Sequence, residues 1–279
     1  LSPASGSFEL NRRQGFLITA LAWSILPAFG ALPLLGVELS PVDAYFEAVS
    51  AMTTTGSTVM TGLDYAPPSI LLWRSLMQAI GGVGVIVLGI IMMPFLRVGG
   101  MQLFHTESSD QSEKIVAKAF DLAVWIFGVF LVLTAACGAA YHILGMHWFD
   151  AINHALTTVS TGGFSTHDAS FGYFEDARLM WIATIFMLAG ALPFVAFIRL
   201  ARGRFGAFAG DIQMRGLIVF LGVAIMLATL TRSVQAETPF FQSLTSSAFH
   251  VVSVVTTTGY AGEDYQLWGP FAVGLFFIL

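Results

Sequence analysis

Long apolar runs alternate along the chain with short ones, and a polar, glycine-bearing turn follows each short run. Runs long enough to cross a bilayer, about 20 residues each, occupy residues 15–37, 70–96, 120–144, 179–200 and 216–230, and a further run begins near 267. Between the members of each pair lie PVDAYFEAVSAM (41–52), FDAINHALTTV (149–159) and SSAFHVVSVV (246–255). These stretches are too short to cross and are expected to be re-entrant half-helices. Directly after them come TTTGST (53–58), STGGFS (160–165) and TTTGYA (256–261).

Placing Gly56, Gly163 and Gly259 in register without gaps also aligns Asp43 with Asp150, Ala48 with Ala155 and Val251, and Ser50 with Thr157 and Ser253. The offsets are 107 and 96 residues. Such internal repetition is common in transporters and channels. The expected fold is an all-α polytopic membrane protein, with tandem units of span, half-helix pore loop and span arranged pseudo-symmetrically around one ion pore. Repeat 1 covers 1–100, repeat 2 covers 101–203, and a truncated repeat 3 covers 204–279. Because the chain opens on Leu1 and stops inside the apolar run GPFAVGLFFIL, it is expected to be a fragment, with a fourth repeat beyond residue 279.

Composition agrees with the pattern. Hydrophobic residues make up 56% of the chain and charged residues 10%, which excludes an ordinary soluble domain. With one cysteine, Cys137, in an apolar run, no intrachain disulfide can form. The flanks opposite the turns carry Arg12, Arg13, Arg97, Lys114, Lys118, Arg199, Arg202, Arg204 and Arg215, against Arg74, Arg178 and Arg232 on the turn side. By the positive-inside rule the turns should face away from the cytoplasm. Carboxylates lean the other way, from Glu38 and Asp43 to Glu263 and Asp264, so the turn side is acidic and should concentrate cations.

Non-helical backbone at membrane depth is tolerated only when protein shields it or it lines a watery cavity. Three such turns therefore suggest one shared cavity. Glycine admits positive φ and lets neighbouring carbonyls aim the same way, and rings of such oxygens can replace the water around a small cation. The C-terminal end of each half-helix adds partial negative charge at the same place. The expected coordinating residues are Thr54, Thr55 and Gly56; Thr161, Gly162 and Gly163; and Thr257, Thr258 and Gly259. A competing class is a sodium-coupled carrier of small solutes built on broken helices. An intramembrane hydrolase finds no support, since neither G-x-S-x-G nor H-E-x-x-H occurs.

At these residues the chain resembles the Trk/Ktr/HKT superfamily of potassium transporters, and within it the bacterial membrane subunits of TrkH/TrkG type. The resemblance runs over essentially the whole chain. It includes DAYFEAVSAMTTTGST (43–58), WRSLMQAIGGVGVIVLGI (73–90), GGMQLFHTESS (99–109) and FDAINHALTTVSTGGFST (149–166). It implies four repeats around a single pore, homodimers in a bacterial inner membrane, and a cytoplasmic nucleotide-binding regulatory subunit of TrkA type. It also implies K+ as the transported ion, with Na+ left open, no cofactor and no nucleic-acid partner. Each turn in the family carries one key glycine, matched by Gly56, Gly163 and Gly259, and all three being glycine favours potassium.

Other residues admit two readings. Glu47, His154 and His250 share one slot, nine residues before each filter glycine, where they either tune the field at the outer mouth or tie the half-helix to its neighbours. IGGVGVIVLG (80–89) lies inside a span and points to close helix packing rather than nucleotide binding. Pro27, Pro33, Pro94 and Pro193 are expected to kink or end spans. Arg74 and Arg178 are expected to be snorkelling anchors, with pairing to Asp64 or Asp176 as the alternative. His105, His142, His147 and His167 show no metal spacing, and the connector 105–118 is either solvated or a contact for the regulatory subunit.

Overall fold

A computed structural model describes residues 12–96, 110–201, 203, 212–235 and 238–279. The expectations placed on Arg97, Arg202, Arg204, His105 and all of GGMQLFHTESS lie outside these residues, and no side chain between 90 and 119 is described. Among the described residues the secondary structure is helical throughout. The helices, numbered in chain order, are α1 (Arg12–Gly30), α2 (Pro41–Met52), α3 (Pro68–Leu96), α4 (Asp110–Ile143), α5 (Trp148–Val159), α6 (Ala177–Ala191), α7 (Phe194–Ala201), α8 (Ile212–Gln235), α9 (Phe240–Val255) and α10 (Pro270–Ile278). Stretches Arg13–Val37, Pro68–Gly89, Phe120–Ile143 and Ile212–Val234 are each long and apolar enough to cross a membrane.

Helices α2, α5 and α9 are the half-helices. Ser40 caps α2 by accepting from the Asp43 N–H, with Pro41 at the first helical position, where its missing N–H costs nothing. His147 caps α5 in the same sense through the Phe149 N–H. Helix α9 begins six residues earlier than the sequence suggested, at Phe240 directly after Pro239. The segment FFQSLT carries no helix breaker, so only the proline stops the helix there.

The run 179–200 is not one straight span. It breaks at Leu192 and Pro193 into α6 and α7, which meet at 94°. The ring of Pro193 cannot continue the α6 hydrogen-bond ladder, and the Leu192 N–H instead closes the helix by bonding to the Leu188 and Ala189 carbonyls.

Helix α5 packs on α4, its own first span, and on α3, the second span of the preceding unit. Helix α9 repeats this arrangement against α8 and α6. Two glycines set the depth of each second span. A Cβ on Gly81 of α3 would collide with the Met52 carbonyl, and a Cβ on Gly190 of α6 would collide with the Val159 carbonyl. Met52 and Val159 are the last residues of α2 and α5, so each second span passes the end of its own half-helix at a glycine.

Candidate functional site: three re-entrant turns

The three turns share one backbone conformation. Thr54, Thr161 and Thr257 have φ of 54°, 52° and 59°, and Gly56, Gly163 and Gly259 have φ of 78°, 75° and 82°. A β-branched residue in the left-handed region costs about 1–3 kcal/mol and persists only where its surroundings dictate it. Here it occurs three times at one register position.

The N–H groups fold back onto the half-helices. Thr54 and Thr55 donate to Ala51 and Ser50, Thr161 and Gly162 to Thr158 and Thr157, and Thr257 and Gly259 to Val254 and Ser253, at 2.8–3.2 Å. Alternating left-handed residues, with the N–H groups turned back to the half-helix, leave the carbonyls of the turn outside its ladder, the inverse of an anion-binding nest. Each cluster sits at the partially negative end of a half-helix.

The turns also lie against one another. A Cβ on Gly56 would run into the Gly162 carbonyl oxygen and come within 3.5 Å of the Thr258 oxygen. One on Gly163 would run into that same Thr258 oxygen. Glycine is thus required at these two positions both by φ and by the close approach of a neighbouring turn, whereas a Cβ on Gly259 meets nothing within 4 Å.

Behind the turns, the slot residues are buried and span the same gap three times. Glu47 Oε1 accepts from the Thr58 hydroxyl (2.8 Å) and its Oε2 from the Val59 N–H (3.1 Å). His154 Nδ1 lies 2.9 Å from the Asp150 carbonyl, which can only accept, so Nε2 receives the Ser165 hydroxyl at 3.0 Å. His250 follows the same tautomer, with Nδ1 donating to the Ser246 carbonyl and Nε2 accepting from Gly262 and Glu263 N–H. Each slot residue therefore ties its half-helix to the segment leaving the turn, the second of the two roles considered for it.

Arg74 is not a snorkelling anchor. It is buried and ion-paired to Glu47 at 2.6 Å, donates to the Thr58 hydroxyl and the Ser165 carbonyl, and lies 4.1 Å from the centre of the Phe164 ring. Lipid-facing snorkelling is excluded because its neighbours are the turns of two units. Arg178 pairs instead with the adjacent Asp176 at the surface. Arg232 pairs with Glu263 and covers the Trp268 ring, and Ser246 donates a hydrogen bond to the same carboxylate.

Loops above the turns are joined by His167. Its Nδ1 meets Asp64 Oδ1 at 2.5 Å, its Nε2 stands 3.5 Å from Asp150 Oδ1, and its ring stacks on Tyr173. That hydrogen bond is the main cause holding the Asp64 carboxyl below its ordinary value. His142 bonds to the Met146 carbonyl.

Two side chains with direct roles here escaped the sequence patterns. Gln78 of α3 reaches the second turn, and the Tyr260 hydroxyl, from the third turn, meets the Thr157 and Thr158 hydroxyls and the His154 carbonyl of α5. Gln78 had one available signal, a lone amide within the largely apolar span 70–96.

The fold and site define a polytopic membrane protein whose half-helices bring three hydroxyl–glycine turns into contact. The chain belongs to the TrkH family, described as cation transport proteins, whose profile matches residues 2–279. It is 47% identical over 274 residues to the Trk system potassium uptake protein TrkI of Halomonas elongata, covering 97% of this chain and 56% of that protein. The Trk system potassium uptake protein TrkH of Escherichia coli is 37% identical over 277 residues, covering 94% and 56%. The crystal structure of the potassium transporter TrkH from Vibrio parahaemolyticus superimposes with a TM-score of 0.85 at 34% identity, covering 98% of this chain and 57% of that one. The chain spans about half the length of the curated relatives it matches.

Proposed function

We propose that the chain carries potassium ions across the membrane through a filter of backbone oxygens from Thr54, Thr55, Gly56, Thr161, Gly162, Gly163, Thr257, Thr258 and Gly259. The observation that carries this is the recurrence of one left-handed turn at three registers, with Gly56 and Gly163 each pressed against the next turn's carbonyl. Oxygens held in this way can substitute for a monovalent ion's hydration shell. The names of the relatives, potassium uptake proteins, favour this ion over the solutes of a sodium-coupled carrier. The three units act as repeats of one design, and the open side of Gly259 would accept a fourth turn. The turn side faces away from the cytoplasm of a bacterial inner membrane, and the transporter works as a homodimer with a nucleotide-binding regulatory subunit.

Introducing Gly163→Asp into the intact transporter should abolish potassium-dependent growth of a strain lacking other uptake systems. Undiminished growth would refute the filter assignment.

A further inference from the structure

Gln78 is fully buried near the middle of the described part of α3, and its amide grips the second turn from both sides of Gly163. Nε2 donates to the Gly162 carbonyl at 2.6 Å, and Oε1 accepts from the Phe164 N–H at 3.1 Å. These two groups belong to the two peptide planes that flank Gly163. All peptide bonds in the described chain are trans, so within each plane C=O and N–H point in opposite directions. With the Phe164 N–H turned toward Gln78, the Gly163 carbonyl points away from it. With the Gly162 carbonyl turned toward Gln78, one of that oxygen's lone pairs is already occupied by a donor.

The corresponding groups of the other turns are the Thr55 and Thr258 carbonyls and the Ser57 and Tyr260 N–H groups. Among the described residues, no side chain holds them in this way. The packing glycines show why. Gly81 and Gly190 occupy equivalent places against the ends of α2 and α5, which puts Met187, an apolar residue, at the place in α6 that Gln78 holds in α3. Gly82, one turn along from Gln78, packs against Ser160, so this stretch of α3 is seated on the second turn.

From this geometry, and resting on the proposed potassium filter, we infer that Gln78 is a specificity-determining positioning residue: it fixes both peptide planes of Gly163, presents the Gly163 oxygen to the ion and withdraws the Gly162 oxygen from full coordination. The filter is then chemically uneven, with the peptides of one filter glycine held by a side chain of the preceding unit and, among the described residues, no side chain in that place for the other two.

The test compares the parent with Gln78→Leu in the intact transporter reconstituted in proteoliposomes, using potassium and sodium uptake. Gln78→Leu leaves a buried carbonyl and N–H without partners, so the KM for potassium should rise about tenfold, with a comparable narrowing of the potassium-to-sodium preference and a smaller change in maximal rate. Gln78→Glu keeps the shape and the acceptor but loses the amide donor, and is read in the same assay if the leucine variant does not accumulate. A folded variant with parental KM and parental ion preference overturns the proposal. Isotope-edited infrared spectra of the unmutated protein give an independent readout. On exchanging potassium for sodium, a 13C-carbonyl label at Gly163 should shift further than one at Gly162. A Gly162 band that moves as far as the Gly163 band also overturns it. Gly163→Asp is the control: if it still transports potassium, the filter itself is misassigned, and if it is inactive while Gln78→Leu behaves as parent, only the role of Gln78 fails.

Discussion

Glu47 and Arg74 form an ion pair with almost no access to solvent, and a pair of this kind is held less by its own attraction than by the cost of leaving either partner alone. Burying an uncompensated charge costs about 3–5 kcal/mol, so Arg74→Leu should lower stability by that order, measured as thermal unfolding in detergent. Replacing both, as Glu47→Gln with Arg74→Met, should recover part of the loss. A double replacement as unstable as the sum of the singles would show that the two residues do not act as a pair. The glycines differ among themselves for equally local reasons. At Gly259 only φ opposes a side chain, whereas at Gly163 the Thr258 oxygen stands in the way as well. Gly259→Ala should therefore cost about 1–2 kcal/mol and keep measurable rubidium uptake, while Gly163→Ala should lose it. Sequence alone supplied the register of these residues. It could not supply the role of Arg74, because a cation beside a span end reads the same whether it turns toward lipid headgroups or into the protein.

At the level of elements, the half-helices were legible because each is bounded by breakers and too short to cross. Their limits were less so. Helix α9 runs back to Pro239 because apolar and hydroxyl residues leave the helix free to continue. The 94° break between α6 and α7 shows why a hydropathy window misleads: composition is uninterrupted through Pro193, and only the lost N–H and the ring stop the helix. Contacts between elements were invisible for a different reason. Tyr260 lies 102 and 103 residues from its partners Thr158 and Thr157, and no local periodicity encodes such a pairing. Its hydroxyl joins the third turn to α5, so Tyr260→Phe, which keeps the ring, should destabilise by about 1–3 kcal/mol through unpaired buried hydroxyls. Hydrogen exchange in the residues after Gly259 should rise accordingly, and unchanged exchange would show that ring packing alone holds the turn.

Across the whole molecule, the loops of the first two units are fastened by His167 between Asp64 and Asp150. The hydrogen bond from His167 lowers the Asp64 carboxyl below the ordinary 3.8, so this contact contributes stability above that value and loses it as pH falls through the lowered one. Parent and Asp64→Asn should thus differ in thermal stability at neutral pH, with the difference shrinking as pH falls below about 4 and through the lowered value. Equal stability of the two at neutral pH would rule out the fastening. The gross plan, three successive units meeting at their turns, followed from spacing in the sequence. The unevenness among the units did not, since register treats Glu47, His154 and His250 as one position although each meets a different partner. Because the turns are covalently successive and chemically distinct, each sector of the proposed ion path can be altered alone. An experimenter can thus build a graded ladder of variants carrying one, two or three modified sectors in a single gene, a dissection that an assembly of identical subunits does not permit.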